Sequence, residues 1–380
     1  MNEDFMREEI LFQKEILMRF YDESQIEPIP LKEYDELWLT GSGDSHCASL
    51  FGSALVNTLG LTGRALTPMN ASYYMNHTRN VYLLLFAISV SGKTPRVVEV
   101  VKKVTKQYSR HKIIGLTDNP HSELAKISDQ SVILKASPSE VLESSDYKDG
   151  IAKLYTGYHH DVAQTKTYFA NILYLIAFLY PEFYSRKSFT EKIFSEWLEL
   201  AEHIVKQNPI NYPTKTIFIG SGLQESLAQF GQYKWFEYTF PGLHQDVEEY
   251  AHTHYFTTDE ETTLIFFAPK GPILERTLEL INGALGNLIK PQIIVITNKK
   301  VEIEYDCTII NTSQGLSEQN HLSLAAEVDY YIRALIVLEW YTYHTARTHG
   351  FDTNKFRGGA EGEKYVRGSY YTIRKSKITD

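Results

Sequence analysis

The sequence predicts an α/β protein with two tandem, doubly wound parallel sheets. Three observations support this fold class: short apolar blocks alternate with helical patterns, a glycine-rich turn follows the first block of each half, and the blocks of the two halves match at a separation of about 180 residues. An unbroken apolar block between polar residues indicates a strand buried on both faces, and its alternation with helices indicates βαβ units.

The first half begins with an amphipathic helix over residues 4–22. A glycine-rich turn, Gly41–Ser45, follows the first strand and leads into an apolar helix over 48–59. Thr94 is a preferred helix cap and Pro95 suits the first helical position, so another helix is predicted from there to about Gln107. Strands are predicted at 37–40, 81–88, 112–117 and 131–134.

In the second half, strands are predicted at 217–219, 264–267 and 293–297. Gly41 and Gly220 follow the first strands, and Thr117 and Thr297 end the third strands, at nearly the same separation. This constant separation indicates two copies of one domain, and two unrelated Rossmann-like halves are the alternative. The predicted organisation is an N-terminal helix and linker (1–34), a first domain (35–190), a second domain (191–340) and an ordered C-terminal tail (341–380).

The segment Ser89–Thr94 joins the second strand to a helix N-terminus. Its hydroxyl groups, its lysine and the N–H groups of the helix end can together bind an anion, and a simple turn with a helix cap is the alternative. The matching segment of the second half, Ala268–Gly271, has no hydroxyl groups. A phosphate site is therefore predicted in the first half only, whereas the second half carries a dense set of titratable residues: Lys234, Glu237, His244, Glu248, Glu249, His252 and His254.

The composition, 43% hydrophobic and 22% charged, is that of a soluble globular protein. A formal net charge of -9 gives no electrostatic reason to bind nucleic acid or an anionic membrane. Cys47 and Cys307 are far apart and are predicted to be core residues. Neither a signal peptide nor a membrane span is recognised, so a cytoplasmic location is expected, and no cofactor or metal is predicted.

Three motifs together resemble the sugar isomerase (SIS) domain family. They are Gly-x-Gly-x-Ser at 41–45, Ser-x-Ser-Gly-x-Thr at 89–94, and Val-Ala-x-Thr-Lys at 162–166. This family has tandem flavodoxin-like domains and includes phosphosugar isomerases, deaminases and deglycases, and the isomerase domain of glucosamine-6-phosphate synthase. The resemblance extends from the opening helix to about Arg357.

The resemblance implies roles for particular residues. Glu237 would move a proton between two sugar carbons, with Lys234 on the same helical face, and His252 next to Glu249 would open the sugar ring. His254 is a second candidate for ring opening, because Thr253-His254 stands where the family usually has Gly-Pro. The substrate and its phosphate would be bound by Gly43, Asp44, Ser45, Ser89, Ser91, Gly92, Lys93, Thr94, Val162, Ala163, Arg357 and Lys364.

Two departures from the family pattern affect this implied site. Val90 replaces a common glutamine, and Lys364 lies three residues later than the family's tail lysine. The expected function is that of an enzyme acting on a sugar phosphate through an enediol or enolamine, as an isomerase, deaminase or deglycase. A non-catalytic sugar-phosphate-binding regulatory protein is the alternative. The family also implies a homodimer with shared active sites.

Overall fold

The computed structural model describes residues 4–23, 26–75, 80–136, 164–185, 189–313, 323–359, 364–365, 368, 372–373 and 375–376. The chain divides into two compact units. The first contains Met1–Lys187 together with Thr353–Asp380, and the second contains Ser188–Asp352.

Five parallel strands form the sheet of the first unit: β1 (Glu36–Thr40), β2 (Gly63–Leu66), β3 (Tyr82–Ile88), β4 (Arg110–Thr117) and β5 (Gln130–Ile133). Their order across the sheet is β2-β1-β3-β4-β5. This is the flavodoxin-like order, in which the chain winds outward from a switch point between β1 and β3. The predicted fold class is confirmed.

Helices cover both faces of this sheet, because alternate residues of each strand point to opposite sides. On one side Trp38 and Leu85 pack with Val97 and Val101, and on the other Phe86 contacts Phe178 at 5.8 Å between ring centroids. The helices are α1 (Phe5–Glu23), α2 (Asp44–Thr58), α3 (Pro68–Tyr73), α4 (Pro95–Gln107), α5 (Glu123–Ile127), α6 (Lys166–Leu179) and α7 (Pro181–Ser185).

The second unit has an equivalent sheet of β6 (Thr216–Ile219), β7 (Leu243–Gln245), β8 (Thr263–Phe267), β9 (Gln292–Thr297) and β10 (Thr308–Asn311). The order β10-β9-β8-β6-β7 is again flavodoxin-like when read from the other edge. Both units enter the helix after their first strand through a glycine with positive φ, Gly43 at 60° and Gly222 at 63°. Only glycine adopts this conformation without steric cost.

The helices of the second unit also lie on both faces of its sheet. Phe218 of β6 packs edge-on against Trp235 at 4.9 Å on one face, while Ile217 and Phe266 contribute to the apolar cluster of the other face. The helices are α8 (Glu191–Gln207), α9 (Leu223–Glu237), α10 (Val247–His252), α11 (Pro272–Leu280), which continues as a π-helix over Ile281–Ile289, and α12 (Leu324–Thr348).

Three strands were not predicted: β2, β7 and β10. All three are edge strands of three or four residues. An edge strand buries less of its surface than a central strand, and these three lack the apolar run by which the central strands and the edge strand β5 are recognised. The strand and helix predictions for the central elements are confirmed.

The structure corrects the prediction that both cysteines are core residues. Cys47 is buried, whereas Cys307 is only partly buried. Among the residues that the structure describes, no helix is long and apolar enough to cross a membrane.

Candidate active site

The switch point of the first sheet brings two loops together. Strands β1 and β3 are adjacent and parallel, with Thr40 paired to Ala87 at their carboxyl ends. The turn Gly41–Ser45 follows β1, and the segment Ser89–Thr94, here called the anion loop, follows β3. Ligands of open parallel sheets bind in the crevice at such a point.

The hydroxyl groups of the anion loop are held together in a mostly buried arrangement. Ser89 is 3% exposed and Ser91 is 8% exposed. The Oγ atom of Ser89 lies 2.9 Å from Oγ1 of Thr94, and the Lys93 N–H donates to Oγ of Ser91 at 3.3 Å. These hydroxyls lie directly before the N-terminus of α4, where N–H groups and the helix dipole favour an anion.

Thr94 occupies the predicted N-cap position of α4, and Pro95 is at the first helical position. The Thr94 side chain makes no capping hydrogen bond to the helix and contacts Ser89 instead. Its hydroxyl therefore belongs to the loop rather than to the helix end.

Gly92 is required by the shape of this loop. Its φ is 61°, and a Cβ atom added there would lie 2.0 Å from Oγ of Ser122. Both the conformation and the contact exclude a side chain. Lys93 next to it is partly buried.

The turn after β1 places Asp44 and Ser45 in the first turn of α2. Ser45 is 8% exposed, and Gly43 is the exposed N-cap. The next residue, His46, was not singled out from the sequence. Burial lowers the pKa of His46 below its ordinary value of 6.5, so a neutral imidazole lies beside the loop at pH 7.

A polar network also borders the anion loop. Arg96, in the first turn of α4, donates to Glu99 at 2.7 Å and to the Tyr73 hydroxyl at 3.1 Å. Its Nε atom also donates to Oγ of Ser376 at 2.8 Å, which places a residue of the C-terminal tail beside this helix end. Neither Arg96 nor Ser376 was predicted, because no motif marks a contact between positions so far apart.

The equivalent switch point of the second unit has different chemistry. The loop after β8 is Ala268–Gly271, and carboxyl groups lie near the turn after β6. Burial, with the negative charge of Asp246, raises the pKa of Glu225, and burial raises that of Glu327. The loop after β8 also has no counterpart of the hydroxyl groups of the anion loop.

Lys234 and Glu237 form an ion pair at the end of α9. The Nζ atom of Lys234 lies 2.8 Å from Oε1 of Glu237, as the three-residue spacing predicts. The Lys234 side chain is fully buried, with Nζ 5.1 Å from the centroid of the Phe230 ring. The Glu237 side chain keeps 23% exposure. A buried cation thus holds a carboxylate that solvent or a ligand can still reach.

His252 and Glu249 lie on α10 and are exposed. The Nε2 atom of His252 is 3.2 Å from Glu248, and the His252 side chain is 71% exposed. The Arg276 side chain also bonds Glu248, at 2.7 Å, and holds the pKa of that carboxyl below its ordinary range. His254 begins the following 3₁₀ turn.

The remaining predicted residues lie elsewhere or cannot be placed. Val162 and Ala163 are outside the described residues. The Arg357 guanidinium lies 4.1 Å from the centroid of the Tyr365 ring in the C-terminal tail, and Lys364 is exposed. Among the described residues, no group of three or more His, Cys, Asp or Glu side chains could hold a metal ion.

Comparison with known proteins gives the family context of this site. No family model matches the chain. A glutamine–fructose-6-phosphate aminotransferase (isomerizing) of Sulfurisphaera tokodaii is 25% identical over 342 residues, which cover 87% of this chain and 50% of that protein. The chain therefore spans about half the length of the curated relatives it matches.

Two solved structures extend the comparison. Tagatose-6-phosphate ketose/aldose isomerase from Escherichia coli superposes with a TM-score of 0.69 at 18% identity, covering 94% of this chain and 95% of the isomerase. The C-terminal domain of glucosamine-fructose-6-phosphate aminotransferase from Francisella tularensis gives 0.65 at 16% identity, covering 92% and 97%.

This chain is homologous to the isomerase domain of these aminotransferases. The predicted resemblance to sugar isomerase domains is thereby confirmed. The solved structures share the fold along nearly the whole chain.

Proposed function

We propose that the chain is a phosphosugar isomerase-type enzyme that moves a proton between two adjacent carbons of its substrate. The observation that carries the proposal is the set of buried hydroxyls at the switch point of the first sheet, in front of the N-terminus of α4. The resemblance to fructose-6-phosphate and tagatose-6-phosphate enzymes supports a phosphorylated hexose as the substrate class.

The anion loop binds the substrate's phosphate in this proposal. Ser89, Ser91 and Thr94 donate hydrogen bonds to the phosphate oxygens, and the helix dipole of α4 adds to their attraction. Phosphate binding far from the reacting carbons orients the sugar, and this binding energy lowers the barrier of the chemical step.

Glu237 is the proposed base. Its carboxylate removes a proton from the carbon next to the carbonyl, which leaves an enediolate or, with an aminosugar, the corresponding enolamine anion. The resulting carboxylic acid returns its proton to the former carbonyl carbon, and the proton of the neighbouring hydroxyl or amino group passes to the former carbonyl oxygen, so the base is regenerated and the C=O or C=N double bond lies one carbon further along. The 2.8 Å contact with the buried Lys234 supports this role, because it holds the carboxylate in one orientation.

His252 is the proposed acid and base for ring opening, since an imidazole can both donate and accept a proton. Its exposed position on α10 supports the further proposal that it acts in an active site completed by a second copy of the chain. In the proposed homodimer, residues of two chains would contribute to one site.

Proton exchange in D₂O tests the assignment of the base. Fructose 6-phosphate, tagatose 6-phosphate and glucosamine 6-phosphate are incubated with the protein, and NMR follows deuterium at carbons 1 and 2. We expect deuterium incorporation with the wild type and at least about a hundredfold less with Glu237→Gln, the usual contribution of a general base. Glu199→Gln, an exposed position on α8, is the matched control.

The same experiment separates the alternatives. Ammonia release from glucosamine 6-phosphate identifies a deaminase, which passes through the same kind of intermediate. Binding of a hexose phosphate by the wild type with no deuterium incorporation from any of the three sugars refutes the enzymatic proposal and favours a sugar-phosphate-binding regulatory protein.

A further inference from the structure

We propose that Thr117 is a positioning residue for the anion loop, because its hydroxyl holds the Val90 carbonyl away from the bound phosphate. Thr117 ends β4, the strand next to β3 in the sheet. The inference rests on the proposed function, since it concerns the phosphate site of that enzyme.

Two donors hold the carbonyl oxygen of Val90. The Thr117 side chain, which is completely buried, donates from Oγ1 at 3.0 Å. The backbone N–H of Asp118 donates to the same oxygen at 2.9 Å. Oγ1 of Thr117 in turn accepts the N–H of Asn119 at 3.2 Å, which fixes the orientation of the side chain.

A second carbonyl of the loop is held by the same segment, residues 117–124, here called the support segment. The N–H of Leu124 donates to the carbonyl of Gly92 at 3.0 Å. Ser122 of this segment lies so close to Gly92 that only glycine fits at position 92. The anion loop is therefore hydrogen-bonded to the support segment through the carbonyl groups of two alternate residues, Val90 and Gly92.

The consequence for the ligand follows from the planar trans peptide, in which C=O and the next N–H point in opposite directions. Because the Val90 carbonyl oxygen is hydrogen-bonded to the support segment, the N–H of Ser91 points away from that segment. Rotation of this peptide would bring a partly negative oxygen toward an anion, which weakens its binding. The Thr117 hydroxyl thus preorganises the loop without touching the substrate.

The second unit provides a comparison within the same chain. Thr297 ends β9, the strand equivalent to β4, and is also completely buried. It accepts the N–H of Lys299 at 3.3 Å, much as Thr117 accepts that of Asn119. The loop that it neighbours, Ala268–Gly271, has none of the hydroxyls expected of a phosphate site, so Thr297 is a matched control for Thr117.

Calorimetric titration of the whole chain with fructose 6-phosphate and with inorganic phosphate tests the inference. Thr117→Val removes the hydroxyl and keeps the side-chain shape, so we expect about fivefold weaker binding of both probes, the effect of one lost hydrogen bond. Thr117→Ser restores the hydroxyl and should bind within about twofold of the wild type, as should Thr297→Val. For a sugar that is turned over, the larger effect should be a rise in KM, with a smaller fall in kcat.

Each result decides a separate point. Equal affinity of Thr117→Val and the wild type overturns the positioning role, and so does a Thr117→Ser variant as weak as Thr117→Val, because the effect then comes from packing. Melting temperatures of the three variants identify any general loss of folding. If the wild type binds neither probe, the proposed phosphate site itself is refuted, and the role of Thr117 fails with it.

Discussion

The contact between Glu9 and Lys166 shows how a single side chain can hold two distant parts of the first unit. One carboxylate oxygen of Glu9, which is 3% exposed, lies 2.5 Å from Nζ of Lys166. The other accepts the N–H groups of Thr165 and Lys166 at 3.2 and 3.3 Å. Glu9 therefore caps the N-terminus of α6 from a position on α1, and Lys166 has a structural partner there.

Replacing Glu9 by glutamine should destabilise the first unit strongly. The change removes the negative charge from a buried pair and leaves the ammonium of Lys166 uncompensated, which costs about 3 kcal/mol. Urea denaturation followed by circular dichroism measures the loss. The matched control is Glu196→Gln, because the Lys192–Glu196 pair is 3.7 Å apart with side chains 84% and 64% exposed. Its expected effect is below about 0.5 kcal/mol, and similar losses in both variants would contradict the argument.

Substitution at Gly92 tests the anion loop at the residue where its shape is most constrained. Gly92→Ala combines a positive φ with a contact to Ser122, so we expect a loss of more than about 2 kcal/mol in stability and of sugar-phosphate binding. Gly60→Ala is the control, because φ is 77° there but nothing lies within 4 Å of the added Cβ. The control should lose only about 1 kcal/mol and retain binding. Unfolding and binding measured on both variants separate the effect of backbone strain, which both variants share, from that of the contact with Ser122, which only Gly92→Ala makes.

At the scale of secondary-structure elements, the attachment of α3 to α4 depends on one buried carboxylate. Glu99 of α4 accepts from the Tyr73 hydroxyl of α3 and pairs with Arg96 at 2.7 Å and Lys103 at 3.3 Å. The ammonium of Lys103 also lies 3.7 Å from the centroid of the Tyr73 ring. The first turn of α4, which directly follows the anion loop, is thereby attached to α3.

The charge of Glu99 predicts a pH dependence of stability. Burial by itself would raise the pKa of Glu99, but the hydrogen bonds from Tyr73, Arg96 and Lys103 outweigh it and lower the pKa below its ordinary value of 4.5. A lowered folded-state pKa contributes stability that is fully present above 4.5 and is lost as the pH falls through the folded value. Urea unfolding between pH 3 and 7 measures this slope. In Glu99→Gln the slope should be smaller, and an unchanged slope would exclude Glu99 as its source.

At the scale of the whole molecule, the acidic chain needs a local site to bind an anion. The formal net charge is -9, so long-range electrostatics oppose phosphate binding, and at the proposed phosphate site the hydroxyls and helix end of the first switch point would have to overcome this repulsion. Binding to the folded chain should therefore depend on the phosphate contacts rather than on bulk charge.

Thermal unfolding with and without ligand tests this statement. Fructose 6-phosphate at a hundred times its Kd should stabilise the protein by about 2.7 kcal/mol, and fructose without phosphate should not. In Ser91→Ala the shift of Tm at the same ligand concentration should be smaller, because a buried hydroxyl that we propose as a phosphate donor is lost. An equal shift with the sugar alone would argue against a phosphate site.

Much of the fold could be predicted from the sequence because central strands are recognised by composition. Strands such as β3 and β9 are buried on both faces, so their residues must be apolar without interruption. Gly43 and Gly222 belong to the glycine-rich turns recognised after the first strand of each half, and the structure gives both a positive φ. The edge strands β2, β7 and β10 lack an unbroken apolar run and were missed, whereas the edge strand β5 was predicted from its apolar residues.

For the candidate site, the sequence by itself determined the chemical groups: the hydroxyls of Ser89–Thr94, the Lys234–Glu237 spacing and their order along the chain. Local rules suffice there, because helix spacing and a strand–turn–helix pattern involve only neighbouring residues. Only the tertiary structure decided which residues support these groups. The hydrogen bonds from Thr117 to Val90, from Arg96 to Ser376 and from the N-terminus of α6 to Glu9 join positions distant in sequence. Such contacts depend on how the strands and helices pack.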